Sequence, residues 1–383
     1  MPGLYLQFFR AETTGGTMKI IRGLVQFGLV AGLVATACGK KEEKKEEQKP
    51  ESVADLKIST ALGLQLPSSL VKATGGNTAS LNLSSNLVGK KSSEACMTME
   101  QTKRVIERLS EVGSMFCHLE AESSKMKFGT KYHVNVKSPQ GSQVLKIWVD
   151  NSDSANLKLY QCQDSTLAQV INISGYAGSG KVKGSVISMH NDNGHSGGSN
   201  LEFDMTQDGI KLLKASMKDT SSEQNGGTFR NFVDMMLVDR GVSVIKMSAV
   251  GVMGSTNEFS DQGVTMFNGT IGQAFIKGSG KYNGQNYNWN SRSTFGADGI
   301  TVDNATAPDA VKVAVASLPD KLPDTFSPTA PSGWDCSGTT ETIEVDMTTS
   351  AGTGAAHQAC EQNRDRSAFT GCHGSDFERG TQE

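Results

Sequence analysis

The chain has 383 residues, 37 Lys+Arg against 40 Asp+Glu, a formal charge of −3 at pH 7 and 37% hydrophobic residues. That composition excludes a chain built mostly of membrane-spanning helices and offers no basic surplus for nucleic acid. Gly is abundant at 42, while aromatics, at 6%, are sparse for a large core.

The most informative stretch runs from Met18 to Cys38. Lys19 and Arg22 form a short positive segment, Gly23 to Ala35 is an apolar run of 13 residues, and Thr36-Ala37-Cys38-Gly39 follows. Such a run is too short for a permanent helix through a hydrocarbon layer of about 30 Å, so it has the form of a removable export signal. The segment resembles the signal of a bacterial lipoprotein precursor, which is cut before a Cys that then carries the lipid. The resemblance makes Cys38 the lipid-attachment residue and Ala37 the small residue before the cut. Ala35 departs from it, standing where a bulky aliphatic is usual. It also implies a cell-envelope protein anchored in the outer membrane, since Gly39 rather than Asp follows the Cys. Residues 1–17 precede the natural start at Met18 and carry no role. Residues 1–37 hold Arg10, Lys19 and Arg22 against Glu12, so the chain from Cys38 onward is formally −5.

Residues 38–50 are the lipidated Cys and a charged tether, whose KKEEKKEEQKP contains nothing to bury. The β-rich main domain spans 51–306, and its first 43 residues, 51–93, form a polar entry segment with one strand. A helix is expected over 98–117, where Val105, Ile106, Leu109, Val112 and Phe116 share a stripe and Thr98 with Gln101 forms a capping box. The period then drops to two. Phe128, Tyr132, Val134 and Val136 alternate with polar residues, as do Leu201, Phe203 and Met205. Strands are also expected at 143–149, 157–162, 182–189, 211–217, 242–252 and 300–302, with turns at Asp208-Gly209 and Asp298-Gly299.

GSGKVKG at 178–184 and GSGKYNG at 278–284 suggest a duplicated hairpin unit. Residues 307–333 read as a short helix followed by a Pro-rich linker, and 334–383 as a Cys-bearing tail with little core of its own. The fold expected is therefore mainly β (α+β). It is a large curved antiparallel meander packed on one N-terminal helix, with a disulfide-tied C-terminal tail.

Setting Cys38 aside leaves Cys96, Cys117, Cys162, Cys336, Cys360 and Cys372, an even number that suits disulfides in an oxidising compartment. Three lie in the main body and three in the tail, so complete pairing needs at least one bridge between them. Cys360 with Cys372 is a plausible local pair and Cys96 is within reach of Cys117 or Cys162, but the connectivity stays open. A zinc site from Cys336, Cys360, Cys372 and His373 lacks the close Cys pairs such sites prefer.

Three motifs tempt and fail. Gly194-His195-Ser196-Gly197-Gly198 fits G-x-S-x-G, yet a strand follows it where a nucleophile elbow needs a helix. Gly175 to Lys181 nearly matches a phosphate loop, yet Val182 replaces the magnesium-binding hydroxyl and again no helix follows. His190, Asp192 and His195 share a loop whose Asn, Asp and Gly are ordinary turn residues. His118 reads as a helix-end residue and His133 as a residue of the polar strand face. Met235, Met236, Met247 and Met253 read as core filler, or as the plastic lining of an apolar site.

The function expected is a lipid-anchored, non-catalytic binding or interaction module of the envelope. It needs no cofactor, metal, nucleotide or nucleic acid, and it meets the membrane through its lipid. The alternative is a carrier of lipid or another hydrophobic molecule on the apolar sheet face. An envelope hydrolase with dispersed residues comes last.

Overall fold

The computed structural model describes residues 54, 57–62, 90–139, 141–153, 156–163, 166–175, 181–192, 195–221, 227–253, 257–302, 307–316, 336, 338, 341–362, 372, 377–378 and 381–382. Period-two alternation over most of this length builds one meander in which each strand is antiparallel to the next. Its strands are β2 (Thr130–Ser138), β3 (Gly141–Asp153), β4 (Asn156–Gln163), β5 (Thr166–Gly175), β6 (Val182–Asp192) and β7 (His195–Asp204). They continue through β8 (Ile210–Ser221), β9 (Gly227–Val238), β10 (Ser243–Met253), β11 (Asn257–Phe267), β12 (Ile271–Tyr282) and β13 (Gln285–Gly296).

Register keeps the two faces chemically distinct. From Val149 and Leu159, directly paired neighbours pass through Ile171, Val186, Leu201, Ala215, Val233 and Met247, then across Gly263 to Ile276. These side chains are buried in one continuous core. The adjacent row, on the opposite face, reads Asp150, Lys158, Asn172, Ser185, Glu202, Lys214, Asp234 and Lys246. Charges of opposite sign thus stand beside one another across strands, an arrangement that contributes a few tenths of a kcal/mol per pair. Burial raises the Asp234 carboxyl, against the pull of Lys246 and Lys214 on its two flanks.

Helix α1 (Ile58–Ala61) and the long helix α2 (Ser93–Ala121) cover the apolar face and its edge. Ser92 caps α2 by accepting the Ala95 N–H at 3.0 Å. Ser92 also shares a hydrogen bond with Ser293, and the Ser291 hydroxyl donates to Glu94 at 2.7 Å. Both contacts fasten the start of α2 to β13. Five residues on, Thr98 already faces Gly263 of β11, so the helix runs across the strands. At a rise of about 1.5 Å per residue, its 29 residues reach most of the way over the sheet. Its sides bury Glu94, Thr98 and Thr102 as well as the apolar stripe, because α1 and the tail close over its outer surface. Thr98 and Thr102 satisfy their hydroxyls on the carbonyls four residues back.

The tail supplies the third layer. Strand β15 (Glu341–Asp346) adds parallel to β2 at one sheet edge, and helix α4 (Thr353–Gln362) packs on α2. At the other edge β1 (Lys91–Ser92) pairs with β16 (Phe377–Glu378), β14 (Thr301–Val302) pairs with β13, and β17 (Thr381–Gln382) also reaches β13. Both edges of the meander therefore carry added strands from outside it. Helix α3 (Asp309–Ala316) sits on the other face, where Val311 packs against Val264 and Met266.

Several expectations need correction. The long helix begins five residues before Thr98 and ends beyond Cys117, so Thr98 lies inside it and Ser92 is its cap. The two glycine-rich strings play different parts. Residues 182–184 open β6, whereas 278–284 close β12 and form the turn into β13 at Asn283 and Gly284. They are not copies of one hairpin unit. Strands β5, β9, β11, β12 and β13 were not anticipated as elements. The signal, the tether and the Pro-rich linker lie outside the described residues.

Candidate functional site

The six remaining cysteines form Cys96–Cys372, Cys117–Cys360 and Cys162–Cys336. Each bridge joins the body to the tail, across sequence separations of 276, 243 and 174 residues. The local Cys360–Cys372 pair does not form, nor does Cys96 pair with Cys117 or Cys162. The reason is the course of the tail, which runs over α2 and brings Cys360 against one end of that helix and Cys372 against the other. With all three tail thiols consumed, no zinc site remains on them. Among the described residues no group of three or more His, Cys, Asp or Glu is arranged to hold a metal.

Beside the Cys117–Cys360 bridge lies a polar chain between α2 and α4. Glu122 Oε1 contacts His357 Nε2 at 2.8 Å, His357 Nδ1 contacts His118 Nδ1 at 2.8 Å, and His118 Nε2 contacts Glu361 Oε1 at 3.2 Å. The Ser114 hydroxyl donates to the same Glu361 oxygen at 3.2 Å, and Lys125 pairs with Glu122. His357 is fully buried, with 0% exposure. Burial pushes the Glu122 carboxyl up, but the hydrogen bonds from Lys125 and His357 outweigh that and hold it below the usual range. Ser114, His118 and Glu361 superficially suggest a hydrolytic triad. Ser114 lies in mid-helix, however, and its hydroxyl donates to Glu361 at 3.2 Å, with His118 Nε2 further off at 3.5 Å. The surrounding backbone donors are committed to the helix, which leaves no oxyanion site.

A second polar group lies on the helix-bearing face of β9–β13. The register row next to the apolar one contains Gln169, Ser188, Ser199, Asn231, Ala249 and Asp261. Gln169 donates to Ser188 at 3.0 Å. Asp261 is buried and accepts the Trp289 Nε1–H at 2.9 Å. Burial pushes its carboxyl up to about 7, against the opposing hydrogen bond from Trp289. Glycine is required at 278 for this pairing, since a Cβ there would approach Asp261 Oδ1 to 2.3 Å and Trp289 Cε2 to 2.4 Å. One row further, Phe229 and Phe259 lie 6.0 Å apart between ring centres, with Phe259 over Gly251 and Tyr287 38% exposed. This aromatic end is where the helix-bearing face reaches solvent.

The tempting motifs fall on strands, and His190, Asp192 and His195, expected in a loop, lie in β6 and β7, whose strands extend further than the alternation suggests. Ser196 is in β7, paired with Asn191 and Thr220, and no helix follows it. Gly175 ends β5 and Val182 begins β6, with most of the intervening string outside the described residues. His190 pairs with Gly197 and Asp192 with His195 in the β6–β7 ladder. His133 sits in β2 opposite Lys146. Met235 and Met247 are buried core residues. Sequence reasoning missed the His118–His357 contact, because the partners are 239 residues apart. It also missed Asp261, although a lone acid within a strand beside Gly residues was a usable signal. Cys38 lies outside the described residues.

No family model, curated protein or solved structure matches the chain.

Proposed function

We propose that the protein is a lipid-anchored envelope lipoprotein whose folded part is a non-catalytic binding module. The observation that carries this is the disulfide pattern: three bridges fasten the tail to the body, which suits an exported, oxidised protein. The Met18–Cys38 signal supports the anchor, and no helix among the described residues is long and apolar enough to cross a membrane. Attachment then rests on the lipid at Cys38 and places the membrane at the end of a charged tether.

Burial favours the module over the carrier. A carrier needs open apolar surface, but Val149, Leu159, Ile171 and Val233 on the apolar sheet face are at most 1% exposed. Contact with a partner is assigned to the aromatic end around Phe259 and Tyr287. Cys38→Ala should move the protein from the membrane pellet to the soluble fraction, and persistence in the pellet would refute the anchor. In the same cells, a photocrosslinking residue at 287 should capture a discrete envelope partner, while one at Val250 on the opposite face should not. A stoichiometric lipid in a solvent extract of the purified protein, with no crosslink at 287, would overturn the module in favour of the carrier.

A further inference from the structure

On the helix-bearing face, one register row crosses β9 to β13 as Phe229, Gly251, Phe259, Gly280 and Tyr287. Aromatic residues thus stand on every second strand, with glycine on the strand between. Glycine lets a neighbouring ring lie down on the sheet instead of standing up from it. A Cβ at Gly251 would come within 2.2 Å of Phe259 Cε1, and one at Gly280 within 3.3 Å of the Trp289 ring. The same device packs the core further along the sheet, where Phe295 lies over Gly272, stacks with Phe267 and is fully buried. In the Phe229 row the rings keep contact with solvent. Phe229, Phe259 and Trp289 are half-buried, and Tyr287 is exposed.

The patch carries no charge at its surface. The next residues along the same face are Asn257, Tyr282 and Gln285, and Gln285 accepts the Tyr287 hydroxyl at 2.8 Å. Asp261, the one acid on this side of β11, is buried and paired with Trp289. Arg230, Glu258, Lys277, Lys281 and Arg292 of the same strands stand on the other face. A charged ligand therefore finds no counter-charge here. A peptide strand finds no unpaired backbone in the middle of a sheet, and an acyl chain needs an enclosure that an exposed Tyr287 does not give. What remains is a flat, neutral ligand with one apolar surface and one polar rim.

We propose that this row is a stacking platform for a straight, neutral chain of β-1,4-linked pyranose sugars. The inference rests on the assignment of partner contact to the aromatic end, and it names the chemistry of that partner. The C–H faces of the sugars lie on the rings, and the Asn257 and Gln285 amides border the row on the side where hydroxyls emerge. Four strand intervals of about 4.8 Å make the row about 19 Å long, room for several sugars of an extended chain. A β-1,4 linkage keeps such a chain straight, whereas an α-1,4 linkage curls it off a row that runs directly across the strands.

Calorimetric titration of the purified, oxidised full-length protein with cellohexaose and with chitohexaose tests the proposal. At least one should bind with a Kd below about 1 mM, and maltohexaose, which curls, should bind at least about tenfold more weakly. Tyr287→Ala should weaken binding about tenfold, Tyr287→Phe should keep it, and Val250→Ala on the opposite face should leave it unchanged. Ring-proton shifts on titration of the wild type should centre on this row, which locates the sugar without any variant. No binding of either β-linked chain, equal binding of maltohexaose, full affinity in Tyr287→Ala, or shifts centred elsewhere would overturn the proposal. If the sugars fail while a crosslinker at 287 still captures an envelope protein, this inference falls and the binding module stands. If both fail, the module falls with it.

Discussion

Asp261 shows how a single side chain sets a pH dependence. Its carboxyl is enclosed on the helix-bearing side of β11, with the Trp289 indole as donor, and burial raises it to about 7. An unfolded Asp titrates near about 3.9. Between those values the folded chain keeps a proton that the unfolded chain releases. The group is therefore neutral and harmless below about pH 4, and it opposes folding increasingly as pH rises to 7. Asp261→Asn retains an Oδ1 acceptor for the indole and removes the charge. The variant should be more stable than the wild type at pH 8, on the order of 4 kcal/mol, and nearly equal to it at pH 4. Thermal melts at the two pH values measure this directly. An equal gain at both would mean that the carboxyl ionises in the folded protein as it does in the unfolded chain, with no upward push from burial. Glu122 works in the opposite sense. Held below the usual range by Lys125 and His357, it stabilises the fold above about pH 4.3, its unfolded value, and that contribution is lost as pH falls through its lowered folded value.

Among the elements, α2 depends on a residue that its own periodicity does not reveal. The apolar stripe from Val105 to Phe116 identifies the helix in the sequence, but its first turn is polar. Ser92 serves both as cap and as partner of Ser293, and it lies outside the stripe. Ser92→Ala should cost about 2 kcal/mol in chemical denaturation, the usual cap loss plus an orphaned buried hydroxyl on β13. Thr98→Val should cost less, since its hydroxyl only back-bonds within the helix. If Thr98→Val proved the more damaging change, the helix would begin where its periodicity suggests.

The strands follow the same logic. Where one face is apolar and the other charged, as in β2 and β7, period two was legible from the residues. In β9 successive residues from Asn231 to Val233 are all buried, so no alternation marks it. In β13 the run QNYNWNSRSTFG has one face of Tyr287, Trp289 and Phe295 interrupted by Ser291 and Ser293, so its alternation is broken midway. The Asn268-Gly269 and Asn283-Gly284 turns were the available hairpin signals for β11–β13, since both glycines and Asn283 adopt positive φ. Attention to the repeated glycine string obscured the second of them. The site was less legible still, because His118 meets His357, and Cys96 meets Cys372, only through the long-range course of the tail.

At the scale of the whole molecule, the tail decides the architecture. With few apolar residues of its own, it gains order by laying β15 on one sheet edge, α4 over α2, and β16 and β17 at the opposite edge. Its bridges close very long loops. In the chain-entropy picture a loop of about 100 residues already contributes about 4.7 kcal/mol, and each of these loops is longer. The cover over α2 presupposes this strapped arrangement.

The most direct test is peptide mapping, under non-reducing conditions, of the protein made in an oxidising compartment. The structure predicts three linked peptide pairs, Cys96–Cys372, Cys117–Cys360 and Cys162–Cys336, and no free thiol among these six. A local Cys360–Cys372 pair, or a Cys96–Cys117 pair bracketing the long helix, would contradict the strapped tail.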